Sequence, residues 1–309
     1  MGRNWFGGLW REKNLSLDAD NSAVFEITAF NGHQLLTDEQ QEVQKELNAL
    51  KIKAEKGDIE AMGELAEFYL YGANEEKAVY WTDQLAKKAG SVVFYRLASA
   101  YETGWIDGFK RDEKKAYDYY LKMANDNETF AQLWLANYYH GRRQLDDGVC
   151  YCGKRDFQKA LDWATKAYKQ GDNKASGLIA DLYRKDPDGN RDLQKAIEWY
   201  QISIKQNQKI IVKKDESDTS AEVQEARFAL SGDYLWLGDI YNELEDYDKA
   251  MYYYQLDINM PVMSHASRSY YQVGAMYEYG LGVKKDINQA KMYYKKACTK
   301  GISKACELK

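Results

Sequence analysis

The sequence predicts an all-α protein, a solenoid of about six αα-hairpins preceded by a capping segment. Two recurring patterns and a near-absence of proline carry that reading. The first pattern is an aliphatic residue, then Ala or Gly, two free positions, then Tyr. It occurs at Leu65-Ala66…Tyr69, Leu97-Ala98…Tyr101, Leu135-Ala136…Tyr139, Ile179-Ala180…Tyr183, Leu237-Gly238…Tyr241 and Val273-Gly274…Tyr277. The second pattern follows each first one: Asp or Asn, an Ala four residues later, and an aromatic three beyond that. It runs Asn74…Ala78…Trp81, Asp112…Ala116…Tyr119, Asp156…Ala160…Trp163, Asp192…Ala196…Trp199, Asp246…Ala250…Tyr253 and Asp286…Ala290…Tyr293. Only 2 of the 309 residues are Pro, so little interrupts a helix.

Residues 1–36 precede the array. Ala23–Phe30 alternates like a strand and meets Asn31-Gly32, a strong turn pair, so a short strand or hairpin is expected at 23–36. Residues 1–20 read either as a disordered tail or as a docked segment, for which Trp5, Phe6, Leu9 and Trp10 argue. Thr37 and Gln40 read as a capping box, opening a helix that stops near Gly57 and covers the first repeat. The expected organisation is an N-terminal extension and capping helix over 1–56 and the repeat array over 57–309.

Within each repeat the aliphatic residue and the Tyr lie four apart, on one helical face, and the small residue admits a neighbouring helix. That is helix A. The Asp or Asn is the N-cap of helix B, because its side chain accepts from orphan backbone N–H groups. The B-helix Ala stands 23 residues before the next Tyr in three consecutive cases, 78 to 101, 116 to 139 and 160 to 183. The gap from Tyr to Ala inside a hairpin varies instead: 9, 15, 21, 13, 9 and 13 residues. A constant connection with a variable loop is what stacked repeats require. Trp81, Trp163 and Trp199 sit at the packing position of helix B and are assigned to the core. Residues 141–155 lengthen the third hairpin loop. Residues 206–222 add polar sequence between the fourth and fifth repeats, read as a solvated and dispensable loop.

The last repeat, Tyr277-Glu278-Tyr279-Gly280-Leu281-Gly282-Val283-Lys284-Lys285-Asp286 followed by Ala290, Tyr293 and Tyr294, resembles the Sel-one-like repeat family, a relative of the tetratricopeptide repeat. The resemblance covers about residues 57–309. It implies a right-handed superhelix of hairpins and a role in protein–protein interaction. A secreted, cysteine-rich subset of that family joins Cys at the spacing of Cys298 and Cys306. The resemblance thus implies a disulfide there, against the alternative of two free thiols in a reducing compartment.

Charge and composition exclude several classes. The balance is 43 basic against 48 acidic residues, net −5, which argues against nucleic acid as a partner. No apolar run is long enough for a membrane span. No signal peptide is visible, so the expected compartment is the cytoplasm, or the periplasm or exterior if a leader has been removed. The 3 His residues include His33 and His265, which have no partner at a recognisable spacing. Cys150-Tyr151-Cys152 beside His140 supplies too few ligands for zinc. Gly280-Leu281-Gly282 follows a helix rather than a strand, so it is a hairpin turn and not a phosphate loop. No enzymatic activity, cofactor or metal is expected.

In tetratricopeptide proteins the concave wall comes from helix-A positions six and two before the Tyr, and one and two after it. Carried onto this sequence, the resemblance implies a face comprising Glu67, Tyr71, Tyr95, Asn137, Asp181, Asp239, Asn242, Glu243, Tyr271 and Tyr279, with His140, Arg184 and Glu278 also at mapped positions. The set is Tyr-rich and acidic, so the expected partner is a protein with a basic or amphipathic surface. A plain solvated face is the alternative. Irregular loop lengths fit a surface tailored to one partner. Family members beside secreted lipase effectors act as immunity proteins, and the resemblance implies such a role here. The competing role is an adaptor, scaffold or regulator assembling a multiprotein complex.

Overall fold

The computed structural model of the protein describes residues 38–106, 108–141, 155–185, 189–212, 218–260 and 266–308. Every regular element among them is helical. The chain divides into two compact units, one ending at Arg155 and the other beginning at Asp156. The first contains α1 (Asp38–Glu55), α2 (Ile59–Tyr71), α3 (Glu75–Ala89), a 3₁₀ turn (Ser91–Phe94), α4 (Tyr95–Thr103), α5 (Glu113–Asn125) and α6 (Thr129–His140). The second contains α7 (Phe157–Lys169), α8 (Asn173–Lys185), α9 (Leu193–Val212), α10 (Ala221–Glu243), α11 (Tyr247–Ile258), α12 (Ala266–Tyr279), α13 (Ile287–Thr299) and α14 (Ser303–Cys306). Five hairpins form: α2/α3 and α4/α5 in the first unit, α8/α9, α10/α11 and α12/α13 in the second. Helices α6 and α7 carry the two patterns of the third repeat and belong to different units. The strand at 23–36, the segment 1–20, His33, His265, Cys150 and Cys152 lie outside the described residues.

All six B helices start as expected. The side chains of Asn74, Asp112, Asp156, Asp192, Asp246 and Asp286 each accept from the backbone N–H three residues on, at 2.9–3.3 Å. Each cap is worth roughly 1 kcal/mol. The same residue closes the hairpin with its own backbone. The N–H groups of Asn74, Asp112, Asp192, Asp246 and Asp286 donate to the carbonyls of Tyr69, Tyr101, Tyr183, Tyr241 and Tyr277, all at 2.9 Å. Four residues lie between Tyr69 and Asn74, and ten between Tyr101 and Asp112. The loop therefore leaves and re-enters the fold at one fixed bond whatever its length.

The Lys that opens most B helices has a partner too. Lys77, Lys115, Lys195 and Lys249 place Nζ 4.7–5.3 Å from the ring centroids of Tyr69, Tyr101, Tyr183 and Tyr241. Such contacts contribute about 0.5–1 kcal/mol each at exposed sites. Tyr119, Tyr253 and Tyr293 lie within 13° of parallel to the motif tyrosines Tyr101, Tyr241 and Tyr277.

The small residues do what their spacing predicts. Ala78, Ala116, Ala160, Ala196, Ala250 and Ala290 are buried, as are the paired aliphatic and small positions of every A helix. The aromatic assignment needs correction. Trp81 is buried, whereas Trp163 and Trp199 are only half-buried. The fully enclosed aromatics stand one residue later, four after the Ala: Tyr120, Tyr200, Tyr254 and Tyr294. Four apart is the same helical face as the Ala, whereas three apart leans toward the flank. Tyr254 and Tyr294 press so closely on helix A that a Cβ on Gly238 or Gly274 would lie 2.5 or 2.7 Å from the ring. That contact explains Gly in place of Ala in the last two A helices.

Residues 206–222 also differ from expectation. Residues 206–212 continue α9 and 221–222 begin α10, so much of the insertion lengthens two helices instead of forming a loop. Asn207 is fully buried, with its Nδ2 donating to the Ser203 carbonyl at 3.0 Å, so the start of this stretch is packed into the fold and is not a solvated loop. Residues 213–217 lie outside the described set. Near Asn207, the seam between α9 and α10 places Ser203 against Asp233, and that between α11 and α12 places Asp257 against Ser269. Asp233 is buried, and its Oδ2 has no hydrogen-bond partner among the described residues. Burial, reinforced by the Asp181 charge and opposed by the Ser203 hydrogen bond, drives its pKa well above the carboxylate range.

At the C terminus Cys298 and Cys306 are bonded, with Cα atoms 4.8 Å apart, tying α13 to α14. Ala305 of α14 and Ala297 of α13 are buried in one small apolar cluster with Tyr294.

Two stability predictions follow from these contacts. Gly238→Ala should destabilise the second unit by about 1–3 kcal/mol, the cost of overpacking. Helix propensity alone predicts a gain of about 1 kcal/mol. A urea melt showing a gain would disprove the ring contact. Asp233→Asn should alter the pH profile. A folded-state pKa above the unfolded one means wild-type stability declines as pH rises from the ordinary carboxylate range toward the folded value. The variant lacks that decline, so its stability relative to wild type should improve from pH 4 to pH 8 in urea melts. A constant difference would show that Asp233 does not titrate as assigned.

Candidate partner-binding face

Helix A presents three positions three residues apart on one stripe: five before the motif Tyr, two before it and one after it. The latter two were mapped as binding positions. The structure shows that they first serve the hairpin. Tyr120 Oη donates to Glu102 at 2.9 Å, Tyr200 Oη to Asp181 at 2.6 Å, Tyr254 Oη to Asp239 at 2.9 Å and Tyr294 Oη to Glu278 at 2.5 Å. Each pair joins a buried B-helix hydroxyl to an A-helix carboxylate. Burial pushes the Tyr200, Tyr254 and Tyr294 hydroxyls upward in pKa, and the adjacent carboxylates add to the shift. These groups are therefore fixed hydrogen-bond donors at neutral pH, neither bases nor nucleophiles.

The mapped carboxylates are also paired with arginines. Glu67 meets Arg96 at 3.2 Å, Asp239 meets Arg268 at 2.7 Å, and Glu243 meets Arg191 at 2.5 Å. Asp181 binds Arg184 of its own helix. The Arg191 hydrogen bond holds the Glu243 carboxyl below its usual range, and Glu243 raises Arg191 in turn. Glu67, Asp181, Asp239 and Glu243 are thus charge-compensated by arginines within the protein. Asn137 donates back to the Leu133 carbonyl at 2.9 Å. Asn242 is half-buried, and His140 and Arg184 are buried.

The mapped tyrosines behave differently from one another. Tyr71, Tyr95 and Tyr279 are 41%, 50% and 68% exposed. Tyr271 is half-buried against Tyr294, with ring centroids 5.4 Å apart. In the first unit an aromatic surface forms. Arg96 donates to Tyr71 Oη at 2.6 Å, Trp105 meets the Tyr71 ring edge-on at 6.4 Å, and Tyr95 meets Phe130 edge-on at 5.6 Å. In the second unit Trp236 is flanked by Arg184 at 4.0 Å, Lys185 at 4.7 Å and Arg268 at 5.0 Å.

Sequence mapping missed Arg96, Trp105, Trp236 and Arg268. Arg96, Trp134, Trp236 and Gln272 all stand five before their Tyr. A step of three back from the position two before the Tyr reaches Arg96 and Trp236, whereas Trp105 and Arg268 lie outside that register. The position six before the Tyr, which supplied Tyr95 and Tyr271, flanks that stripe. Among the described residues no group of three or more His, Cys, Asp or Glu could hold a metal, and no helix is long and apolar enough to cross a membrane.

The profile of the Sel1 repeat matches six stretches of the chain, residues 59–89, 95–128, 129–172, 178–208, 224–256 and 267–302. Over 57 residues the chain is 39% identical to the ERAD-associated E3 ubiquitin-protein ligase component HRD3 of Candida glabrata, a match covering 18% of this chain and 6% of that protein. The fold is similar to a Sel1 repeat protein from Oxalobacter formigenes, with a TM-score of 0.50, 23% identity, and coverage of 79% of this chain and 86% of that one. Immunity protein Pa5087 from Pseudomonas aeruginosa aligns more loosely, at a TM-score of 0.37 and 17% identity over 79% of this chain and 82% of that one.

Asp239 tests the carboxylate assignment. It accepts from Tyr254 at 2.9 Å, Gln272 at 3.0 Å and Arg268 at 2.7 Å. Asp239→Ala leaves the buried Tyr254 hydroxyl without its acceptor and should cost about 1–3 kcal/mol in denaturant melts. A variant as stable as wild type would return Asp239 to the role of a simple surface charge.

Proposed function

Because the chain belongs to the Sel1 repeat family, we propose that it acts by binding another protein through the A-helix faces of its hairpins, and that it catalyses no reaction itself. The observation that carries the reading is the aromatic surface of Tyr71, Tyr95 and Trp105. Trp105 is 59% exposed, and the Tyr71 ring it touches is held by Arg96. Large rings fixed before contact lose little rotamer freedom on binding, which is why Tyr, Trp and Arg dominate binding energy at interfaces.

The partner expected here presents an amphipathic surface to the first unit, with apolar anchors for these rings. A basic partner loses its rationale at this face, since Arg96 already answers the charge of Glu67. The narrower role is that of an immunity protein blocking a toxin. The unequal hairpin loops support it, and an adaptor within a larger assembly is the alternative.

Site-specific photo-cross-linking checks the face. A benzophenone amino acid at Tyr95 should give a discrete protein adduct in cells that express the chain, and Trp105→Ala should abolish it. The same probe at Tyr252, which is equally exposed but on a B helix, should not. Adducts from Tyr252 alone would reject the A-helix face. A toxic enzyme in the adduct identifies the immunity role, and members of one complex identify the adaptor.

A further inference from the structure

We propose that the outer face of α13, together with α14, is a docking surface for the anionic headgroups of a lipid bilayer. The surface lies on a B helix, apart from the A-helix faces read above as protein-binding, and does not depend on that reading.

Composition separates α13 from the other B helices. Helices α3, α5, α7, α9 and α11 each carry a carboxylate, Glu75, Glu113, Asp162, Glu198 and Asp248 among them, whereas α13 carries none. Residues 287–308 hold five Lys and a single acid, Glu307. Lys291, Lys295, Lys296 and Lys304 are exposed, and none of the four is ion-paired among the described residues. Asp286 accepts from the first backbone N–H groups of α13, and Glu278 accepts from Tyr294 across the hairpin. Counted in full against Asp286 and Glu307, the four lysines still leave a positive excess, with Lys300 left out of the count. That excess opposes the chain's net −5, so an anionic surface is attracted at this face and repelled by the average field of the protein.

Helix geometry spreads these cations over one face. Asn288, Met292, Lys295 and Thr299, spaced four, three and four apart, form a single exposed stripe. Lys291 and Lys296 flank it, while Ala290, Tyr294 and Ala297 are buried on the opposite side. The Cys298–Cys306 disulfide ties α14 to α13 and keeps Lys304 at the C-terminal end of that helix. Lys296 is held by two rings, its Nζ 5.5 Å from the Tyr270 centroid and 5.4 Å from that of Tyr293. Two features select the ligand. First, every cation here is Lys. A compact ammonium on a flexible stem suits a diffuse field of headgroups, whereas the planar fork of Arg suits one fixed carboxylate. Second, the stripe offers only Met292, 40% exposed, for apolar contact. A short peptide therefore finds little to bury, while a bilayer engages all the lysines at once. Clusters of four or more Lys beside a membrane are drawn to anionic leaflets in this way.

Vesicle co-sedimentation of the full chain tests the assignment. Vesicles of phosphatidylcholine alone are compared with vesicles containing about one-third phosphatidylglycerol, at low and high salt. The chain should pellet with the anionic vesicles at low salt only, since screening removes the attraction. Lys291→Gln/Lys295→Gln should weaken that binding by about fivefold per lysine. The control Lys87→Gln/Lys88→Gln removes the same charge from the exposed end of α3 and should leave binding unchanged. Circular dichroism checks that each variant is folded, and Lys291→Gln alone decides if the α13 pair loses helicity. Failure to pellet with anionic vesicles overturns the proposal, as does equal pelleting with phosphatidylcholine alone. Equal weakening by the α3 control, or undiminished binding in the folded α13 variant, overturns it too. Fluorescein-labelled hexaglutamate is titrated in parallel. Saturable hexaglutamate binding that the α13 variant weakens, without vesicle pelleting, makes the face a site for an acidic protein segment and overturns the lipid assignment. None of these outcomes bears on the Tyr95 cross-link, which tests protein binding at the first unit.

Discussion

Each hairpin depends on one residue that makes two bonds. The Asp or Asn before helix B donates its backbone N–H to the carbonyl of the motif Tyr of helix A, and its side chain caps helix B. The first bond fixes where the chain returns, and the second fixes the direction in which it departs. An uncapped B helix would leave its first N–H groups to water. An unclosed loop would leave the hairpin angle to packing alone. Because both bonds use one residue, the loop between carries no geometric duty. It can therefore hold four residues or ten, and closing the longer one costs only a fraction of a kcal/mol more.

Above that closure, the acidic residues of helix A resolve a burial problem. A hairpin interface filled by Tyr200 or Tyr254 gains a large apolar ring and must also satisfy a phenolic hydroxyl. An unpaired buried hydroxyl would cancel much of the gain. Asp181 and Asp239 supply the acceptor, and Arg184 and Arg268 then neutralise the carboxylate. In the first unit Glu102 does the same work, accepting from Tyr120 and from Trp134 Nε1 at 3.2 Å. Charge on these faces is thus first a feature of folding. What remains for a partner is set by which ends of these networks reach the surface.

The local parts of this design were legible in the sequence. N-caps, the small-residue positions and the hairpin order depend on contacts within one repeat, and their spacing is rigid. The parts that failed depend on packing between helices, which no spacing along one helix records. Trp199 and Tyr200 are adjacent aromatics, and only the packing of α8 on α9 decides which is enclosed. Residues 206–212 are polar on average, yet they stay helical because Asn207 lies buried along the seam. Arg268 stands nine residues before its Tyr, outside any motif, and reaches Trp236 from the neighbouring repeat. No single-repeat pattern encodes such a contact.

Adjacent positions of helix A divide the labour between core and surface. Four before the Tyr the residue is Leu65, Leu97, Leu135, Ile179, Leu237 or Val273, always an aliphatic group in the core. One step earlier it is Glu64, Arg96, Trp134, Leu178, Trp236 or Gln272, five residue types in six repeats. Neither the cap nor the hairpin bond touches that position, so its identity is not dictated by closure. Where it is Arg96, it organises Tyr71 and Glu67 into a neutral aromatic surface. Where it is Trp236, it gathers cations from both neighbouring repeats. One scaffold can therefore present two surfaces of different character by changing a residue that the hairpin does not need.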